Sequence, residues 1–272
     1  MSLDQSQVMR YLTLLGIPKR EPSLESLKGI VYAHVTKVPF ENISKLYRWR
    51  ISEVRELVDC SQYLDGIEQY HFGGTCYTNN YYLCQLLIAL GYDVLLCGAD
   101  MSKPDVHIVS IVRIDEREYI VDVGYAAPFF EPLPRDLSSE FEIALGNDRY
   151  VLSPKDPTGR SRLTLCRNGE PKHGYLVNPR SRRIEDFQEI IADSFKPSAT
   201  FMNAVLLVKF GAGYSIVLHN MTYIESRGTS SRRMDLKSTD ELVKAIEKHF
   251  FIPSFISRIA LDGLRMTQDA WS

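Results

Sequence analysis

The chain has 272 residues, 44% of them hydrophobic, which is enough for a substantial buried core. Its 32 basic and 34 acidic residues give a net charge of -2, so no broad field attracts nucleic acid or an anionic membrane. No apolar run approaches the ~18 residues of a membrane span. We therefore expect a cytoplasmic protein whose partners are small molecules, with no nucleic acid and no membrane among them. Composition leaves the oligomeric state open.

Helices are predicted for most of residues 1–90, because apolar residues recur there at three- and four-residue spacing. Pro39 interrupts this pattern, and Gly73-Gly74 interrupts it again. A further helix is predicted over about 76–90, with Gly91 as its C-terminal cap. The first third therefore resembles a helical bundle.

Strands are predicted for much of the remaining chain, where short β-branched and aromatic runs lie between turn residues. The predicted strands are residues 93–97, 106–114, 118–123, 162–166, 174–176, 204–210 and 214–218. Helices are predicted over 184–192 and 239–250. The pattern indicates a small barrel or sheet followed by a mixed α and β segment, with boundaries near 91 and 195.

The cysteines form an odd, widely spaced set without a CxxC pair. This spacing suits neither a disulfide framework nor a zinc site, so we expect reduced thiols and no metal. The five are Cys60, Cys76, Cys84, Cys97 and Cys166.

Cys76 differs from the other cysteines because it follows the two glycines and begins the predicted helix. Unpaired backbone N–H groups and the macrodipole favour a thiolate at a helix N-terminus. A cysteine nucleophile also needs a base and a group that orients the base.

His107 is the candidate base, since its strand is predicted to form a hairpin with the strand that contains Asp122. A loop of two or four residues puts both side chains on one face of the sheet, and the three-residue loop Asp115-Glu116-Arg117 puts them on opposite faces. Asp122 lies in an apolar strand, where an ionised carboxylate needs a partner. Singly, each residue is more often structural. Their combination favours a catalytic triad.

At these residues the chain resembles the arylamine N-acetyltransferases. Gly73, Gly74, Cys76 and Asn80 match the family signature Arg-Gly-Gly-x-Cys-x-Glu/Gln-x-Asn. His107 matches the family histidine, and 122–124 matches its Asp-Val-Gly. Further agreement lies in residues 11–12, 34–42, 186–187 and 194–201, so the resemblance covers nearly the whole chain.

The resemblance implies an α+β fold with a cysteine-protease-like core. Its parts are an N-terminal helical bundle with the nucleophile (1–91), a central β-barrel with the histidine and aspartate (92–194), and a C-terminal α/β lid (195–272). It also implies a xenobiotic-metabolising enzyme that moves an acetyl group from acetyl-CoA through a Cys76 thioester. The acceptor is an arylamine, hydrazine or arylhydroxylamine in a ping-pong reaction.

The resemblance further implies substrate contacts beside this triad. Residues near the acceptor are then expected in the loop after Asp122 and in two aromatic walls: Gly124, Tyr125, Ala126, Ala127, Phe129, Phe40 and Phe201. One oxyanion donor is the Cys76 backbone N–H, and a second is not assigned. For each aromatic residue, ordinary core packing stays an alternative. Two arginine clusters, 180–183 and 232–233, are either CoA phosphate contacts or a solvated face.

The chain departs from the family signature at two positions. Phe72 replaces the arginine, and Thr78 replaces the Glu or Gln. If both partners of one interaction are absent, no buried charge is stranded, so we expect the fold to survive with an altered pocket. Three alternative functions stay open: an amide synthase with another acyl group, a papain- or transglutaminase-like thiol hydrolase, and a catalytically silent binding module.

Overall fold

Helices occupy most of the first 90 residues in the computed structural model, which describes residues 3–53 and 55–270. Capping boxes at Asp4 and Asp59 begin two of these helices by satisfying free backbone N–H groups. The elements are α1 (Gln5–Leu15), α2 (Leu24–Lys37), β1 (Phe40–Glu41), α3 (Ile43–Ser52), α4 (Cys60–Tyr70) and α5 (Cys76–Ala89). Gly91 follows α5 with a φ of 93°, as predicted for a residue that ends a helix.

The central part of the chain forms an antiparallel sheet that curves into a nearly closed barrel. Its strands are β2 (Asp93–Asp100), β3 (His107–Ile114), β4 (Arg117–Val121), β5 (Leu133–Pro134), β6 (Phe141–Leu145), β7 (Asp148–Leu152), β8 (Ser161–Arg167) and β9 (Glu170–Val177). They lie in the order β5-β4-β3-β2-β9-β8-β7-β6. Helix α5 packs against β2 and β3, so the start of α5 lies beside the β3–β4 hairpin.

The last third combines a second antiparallel sheet with helices. Its elements are α6 (Gln188–Asp193), β10 (Leu206–Gly211), β11 (Tyr214–His219), β12 (Thr222–Arg227), β13 (Ser230–Asp235), α7 (Thr239–Phe250) and α8 (Ser254–Leu261). The helix predicted over 184–192 is a 3-10 turn, Ile184–Phe187, that continues into α6. Within the described ranges, no helix is long and apolar enough to cross a bilayer.

The β3–β4 hairpin has the register that places the side chains of His107 and Asp122 on the same face of the sheet. Ile114 pairs with Arg117, which leaves a two-residue turn rather than the three-residue connection Asp115-Glu116-Arg117. Asp115 and Glu116 have φ values of 48° and 64°, as a type I′ turn requires. The residue numbers of each paired position therefore sum to an odd number. Because side chains alternate between the two faces along a strand, residues 107 and 122 lie on the same face.

Contacts join the N-terminal segment to the C-terminal sheet. β1 pairs with β10, and α3 packs against α8. The Asn42 amide donates to the carbonyl oxygens of Phe201 at 2.9 Å and Ala204 at 2.7 Å, and it accepts from the Leu206 N–H at 2.9 Å. The predicted α+β fold is confirmed. Domain boundaries at 91 and 195 stay predictions, and these contacts cross them.

Candidate active site

Cys76 is the first residue of α5, where sequence analysis places it. Its Sγ lies 3.8 Å from the Val106 carbonyl oxygen. The preceding loop runs close to β1: the Glu41 N–H donates to the Gly74 carbonyl, and a Cβ at Gly73 would lie 1.8 Å from the Pro39 carbonyl oxygen. Only glycine fits at position 73, so this loop holds the start of α5 at a fixed distance from β1.

His107 and Asp122 lie together in the buried floor beside Cys76. His107 Nε2 donates to Asp122 Oδ2 at 2.9 Å, and both residues are only 2% exposed. Because Nε2 is used in this way, Nδ1 is the nitrogen left for the Cys76 side chain, whose interaction with the imidazole helps to raise the pKa of His107. The structure thus brings together the three residues that the sequence singled out.

Asn80 holds the aspartate in place. Its Nδ2 donates to Asp122 Oδ1 at 2.8 Å and to the Ile108 carbonyl oxygen at 2.6 Å, and its Oδ1 accepts from the Val123 N–H at 2.8 Å. The Gly124 N–H donates to Asp122 Oδ1 at 3.0 Å. The sequence alone gives Asn80 no role beyond a match to the family signature, although its place one helical turn after Cys76 puts it on the same side of α5.

The electrostatics favour an ion pair between the two buried groups. Burial opposes protonation of His107, but the charge and hydrogen bond of Asp122, together with Cys76, outweigh it and raise the pKa of His107 to about 10. Burial also opposes ionisation of Asp122, yet His107, Asn80 and the Gly124 N–H lower its pKa. At neutral pH the pair is imidazolium and carboxylate, and the charged imidazole lies next to the thiol.

The triad opens into a cleft of about 1780 Å³. Cys76 and His107 line it, as do five of the predicted substrate contacts: Phe40, Gly124, Tyr125, Ala126 and Phe201. The Phe40 and Phe201 rings lie 5.6 Å apart and form one wall.

Ala127 and Phe129 are not in the cleft wall. They are 6% and 1% exposed and pack in the barrel core. The loop after Gly124 turns inward there, so apolar side chains beyond Ala126 fill the barrel instead of facing a substrate. The expectation of direct contact is therefore wrong for these two residues.

Tyr125 has a polar partner, His173, that no local sequence pattern indicates. Its hydroxyl is 2.6 Å from His173 Nδ1, and its ring meets the His107 ring edge to face at 5.6 Å. Burial lowers the pKa of His173, so this histidine is neutral at pH 7 and accepts from the tyrosine. The pair fixes the tyrosine ring over the catalytic floor.

The two positions that depart from the family signature have different surroundings, because Phe72 is buried whereas Thr78 is half-buried and lines the cleft. Phe72 is 2% exposed, and its ring lies 5.6 Å from the Arg48 guanidinium. A buried acid does remain here: Glu41 accepts from the N–H groups of Ser44 at 2.8 Å and Gly73 at 3.1 Å. Burial raises the pKa of Glu41, and these two hydrogen bonds oppose the rise. The Glu41 carboxylate therefore holds the glycine loop through a hydrogen bond from the backbone N–H of Gly73.

The arginine clusters considered for CoA phosphates lie outside the cleft. Arg182 is bonded to Asp105 at 3.0 Å and Asp186 at 3.2 Å, and Arg233 lies 3.6 Å from Asp235. None of the residues Arg180, Arg182, Arg183, Arg232 and Arg233 lines the cleft. These arginines are better described as part of a solvent-exposed charged surface.

All five cysteines are free thiols, as predicted. In the part of the chain that the structure describes, no group of three or more His, Cys, Asp or Glu residues is arranged to hold a metal ion.

Comparison with known proteins connects this site to one family. A family model described as N-acetyltransferase matches residues 23–255. The chain is 34% identical over 127 residues to an arylamine N-acetyltransferase, pineal gland isozyme, of Gallus gallus, covering 44% of this chain and 42% of that one. It is 27% identical over 194 residues to an N-malonyltransferase of Fusarium pseudograminearum, covering 59% and 55%. The chain thus spans about half the length of these curated relatives.

A solved structure shows the same fold over nearly the full length. The arylamine N-acetyltransferase of Mycobacterium marinum in complex with CoA superposes with a TM-score of 0.80 at 19% identity, covering 94% of this chain and 99% of that one. The fold, together with the family model over most of the sequence, determines the assignment. The chain belongs to the arylamine N-acetyltransferase family.

Proposed function

We propose that the chain transfers an acetyl group from acetyl-CoA, through a thioester on Cys76, to an arylamine, hydrazine or arylhydroxylamine. The observation that carries this proposal is the His107–Asp122 hydrogen bond of 2.9 Å beside the Cys76 thiol, at the floor of a large cleft. Membership of the family supports the reaction class. The CoA complex of the Mycobacterium marinum relative supports acetyl-CoA as the donor.

In the first half-reaction, Cys76 attacks the acetyl carbonyl carbon as a thiolate, with the His107 imidazolium beside it. The tetrahedral oxyanion accepts a hydrogen bond from the Cys76 backbone N–H, because the first N–H groups of a helix such as α5 have no intrahelical acceptor. The carbon–sulfur bond to CoA then breaks. The imidazolium protonates the leaving sulfur, which leaves acetyl-Cys76 and a neutral His107.

In the second half-reaction, the acceptor nitrogen attacks the thioester carbon. An arylamine is a weak nucleophile, so His107 contributes by accepting the proton from its nitrogen. The bond to Cys76 Sγ breaks, and the thiolate–imidazolium pair is restored. The aromatic ring of the acceptor packs against Phe40 and Phe201 in the cleft that Gly124 and Ala126 also line.

Malonyl transfer is a second candidate within the same chemistry. One relative is an N-malonyltransferase. The cleft also contains the ammonium group of Lys45, which a carboxylate-bearing acyl group can meet.

Intact-protein mass spectrometry tests the thioester. After treatment with acetyl-CoA at neutral pH, we expect one acetyl adduct on Cys76 that disappears when an arylamine or hydrazine is added, with release of the acetylated amine. The absence of any adduct would indicate a catalytically silent binding module. Cleavage of a peptide substrate would favour a thiol hydrolase. An adduct only with larger acyl donors would indicate an amide synthase.

Two variants complete this experiment. Cys76→Ser should lose the adduct and the release of acetylated amine. Cys60→Ser is the matched control, since Cys60 also begins a helix but does not line the cleft. It should keep both.

A further inference from the structure

Lys45 is a positively charged cleft residue that the proposed acetyl transfer does not use. It lies on α3 and lines the same cleft as Cys76. Its Nζ donates to Ser194 Oγ at 2.8 Å and lies 4.2 Å from the centre of the Phe195 ring. A hydroxyl and a ring face are neutral partners, so they leave the ammonium charge uncompensated.

Lys45 lacks a countercharge that another cleft lysine has. Among residues 3–53 and 55–270, no carboxylate oxygen lies within 4 Å of Lys45 Nζ, whereas Lys196 is paired with Asp193 at 2.6 Å. Burial lowers the pKa of Lys45 to about 8, and the charge of Cys76 opposes this effect. The group is therefore still mainly protonated at pH 7.

Lys45 Nζ has N–H donors left for a further acceptor. An ammonium group has three N–H donors, and Ser194 takes one of them. The Ser194 hydroxyl donates its own hydrogen bond to the Ile191 carbonyl oxygen at 2.6 Å. It therefore cannot turn away from the lysine without losing that bond. Lys45 and Cys76 line the same cleft, so an anion bound at Lys45 lies in the cavity that also contains the nucleophile.

We propose that Lys45 binds a carboxylate of the substrate, and that this carboxylate is carried at the far end of the transferred acyl group. The cleft then prefers a dicarboxylic monoacyl donor such as malonyl-CoA to acetyl-CoA. This inference rests on the proposed acyl transfer and adds no chemical step to it. A carboxylate on the acceptor amine is the other source of the same chemistry, and the experiment separates the two.

The experiment measures kcat/KM in two pairs of assays. The first pair compares malonyl-CoA with acetyl-CoA, both with a neutral arylamine. The second pair compares 4-aminobenzoate with 4-methylaniline, both with acetyl-CoA. Replacing the lysine in Lys45→Met keeps the aliphatic stem and removes the charge. The Lys45→Met variant should lower the ratio of kcat/KM for malonyl-CoA to kcat/KM for acetyl-CoA by about 10- to 100-fold, as expected when a charged hydrogen bond is lost.

Two further variants keep the result interpretable. Lys45→Arg retains the charge and should preserve most of the preference, even if Lys45→Met proves unstable in a thermal melt. Lys196→Met is the matched control: this lysine lines the same cleft but is paired and more exposed, so the ratios should not change.

The outcomes are distinguishable. A fall in the aminobenzoate ratio alone would support the carboxylate site and move it to the acceptor. Unchanged ratios in an active Lys45→Met enzyme would overturn the inference and leave the proposed function intact. Equal weakening of both CoA donors, with weaker binding of free CoA, would overturn it by assigning Lys45 to a phosphate. A wild-type protein that transfers no acyl group would instead refute the proposed function.

Discussion

At the residue scale, the surroundings of a cysteine matter more than its place on a helix. Cys60 and Cys76 are both first residues of helices, α4 and α5. Burial raises the pKa of Cys60 to about 11, and the charges of Asp59 and Asp4 add to the rise. Cys76 has no acidic cap, because Thr75 precedes it, and it adjoins the His107 imidazolium. The helix N-terminus alone therefore does not define a nucleophile.

The charge of Asp122 should control the protonation of His107. In Asp122→Asn, burial acts on His107 without its main opposing charge, so its pKa should fall from about 10 to below 6.5. The imidazole would then be neutral, with its proton moved to Nδ1, the nitrogen that must accept from a thiol. NMR titration of the His107 ring checks the first effect. The rate of Cys76 acetylation should drop by roughly 10³-fold or more, as in Ser-His-Asp enzymes with the wrong tautomer.

Asp93→Asn is the control for this change, since Asp93 is an exposed aspartate at the start of β2. It should alter neither the titration nor the rate. If His107 in Asp122→Asn still titrates near pH 10, Asp122 is not the group that sets its charge.

At the element scale, the catalytic floor depends on how closely the loop after β4 approaches α5. A Cβ at Gly124 would lie 2.6 Å from the Cys76 Cα and 2.8 Å from Asn80 Nδ2. The first of these is a backbone atom within a packed helix, so the loop would have to move instead. That movement would lengthen the Gly124 N–H bond to Asp122.

Gly124→Ala should therefore reduce both stability and acetylation. We expect a loss of about 1–3 kcal/mol in the free energy of unfolding, the usual range for an overpacked interior site. Gly29→Ala is the contrasting variant. Gly29 lies within α2 with no atom within 4 Å of the added Cβ, so alanine should be neutral or stabilise the helix by up to about 1 kcal/mol. Urea unfolding and the acetylation rate measure both variants, and equal behaviour of the two would contradict the close-approach argument.

Elements with strong local patterns could be predicted from the sequence, and elements without them could not. Helix α7 has the predicted bounds, and the β3–β4 hairpin follows from its apolar runs and turn. β13 was missed because all its residues are exposed, which leaves no alternation of apolar and polar residues. β1 has two residues, and it is defined by long-range pairing with β10 and by a bridge from Phe40 to Gly74, which no local pattern encodes.

The same distinction applies to the site. The glycine loop and the predicted hairpin made Cys76, His107 and Asp122 candidates, and the family signature selected them, while the turn length that decides strand parity stayed open in the sequence. The interaction of Lys45 with Ser194 joins positions 149 residues apart, and no local pattern encodes such a contact. Ala127 and Phe129 were assigned wrongly because sequence position does not reveal where a loop turns into the barrel.

At the scale of the whole molecule, a buried polar network links the helical bundle to the nucleophile loop. His34 is fully buried, and its Nε2 lies 3.0 Å from the Tyr11 hydroxyl. The Tyr63 hydroxyl donates to Asn79 Oδ1 at 3.2 Å, and Asn79 Nδ2 donates to the Gly74 carbonyl oxygen at 3.1 Å. Within the described residues, Nδ1 of His34 has no hydrogen-bond partner. A charge on this histidine would be costly.

This histidine should make the protein less stable in acid. Burial lowers the pKa of His34 to about 3, whereas an unfolded chain binds a proton at this residue near pH 6.5. Between these values the unfolded state holds more protons, so stability is complete above pH 6.5 and declines as the pH falls toward 3. The full slope is about 1.4 kcal/mol per pH unit.

Urea unfolding at pH 6.5 and 4.5 measures the effect in wild type and in two variants. His34→Gln retains a hydrogen-bonding group for Tyr11 but cannot titrate, so it should lose about 2 kcal/mol less than wild type between the two pH values. Tyr63→Phe removes a hydroxyl from the same network. Because burial raises the pKa of Tyr63 far above this range, its loss of stability should be the same at both pH values. If His34→Gln and wild type decline equally, the acid sensitivity arises elsewhere, and the neutral His34 is not what couples the fold to pH.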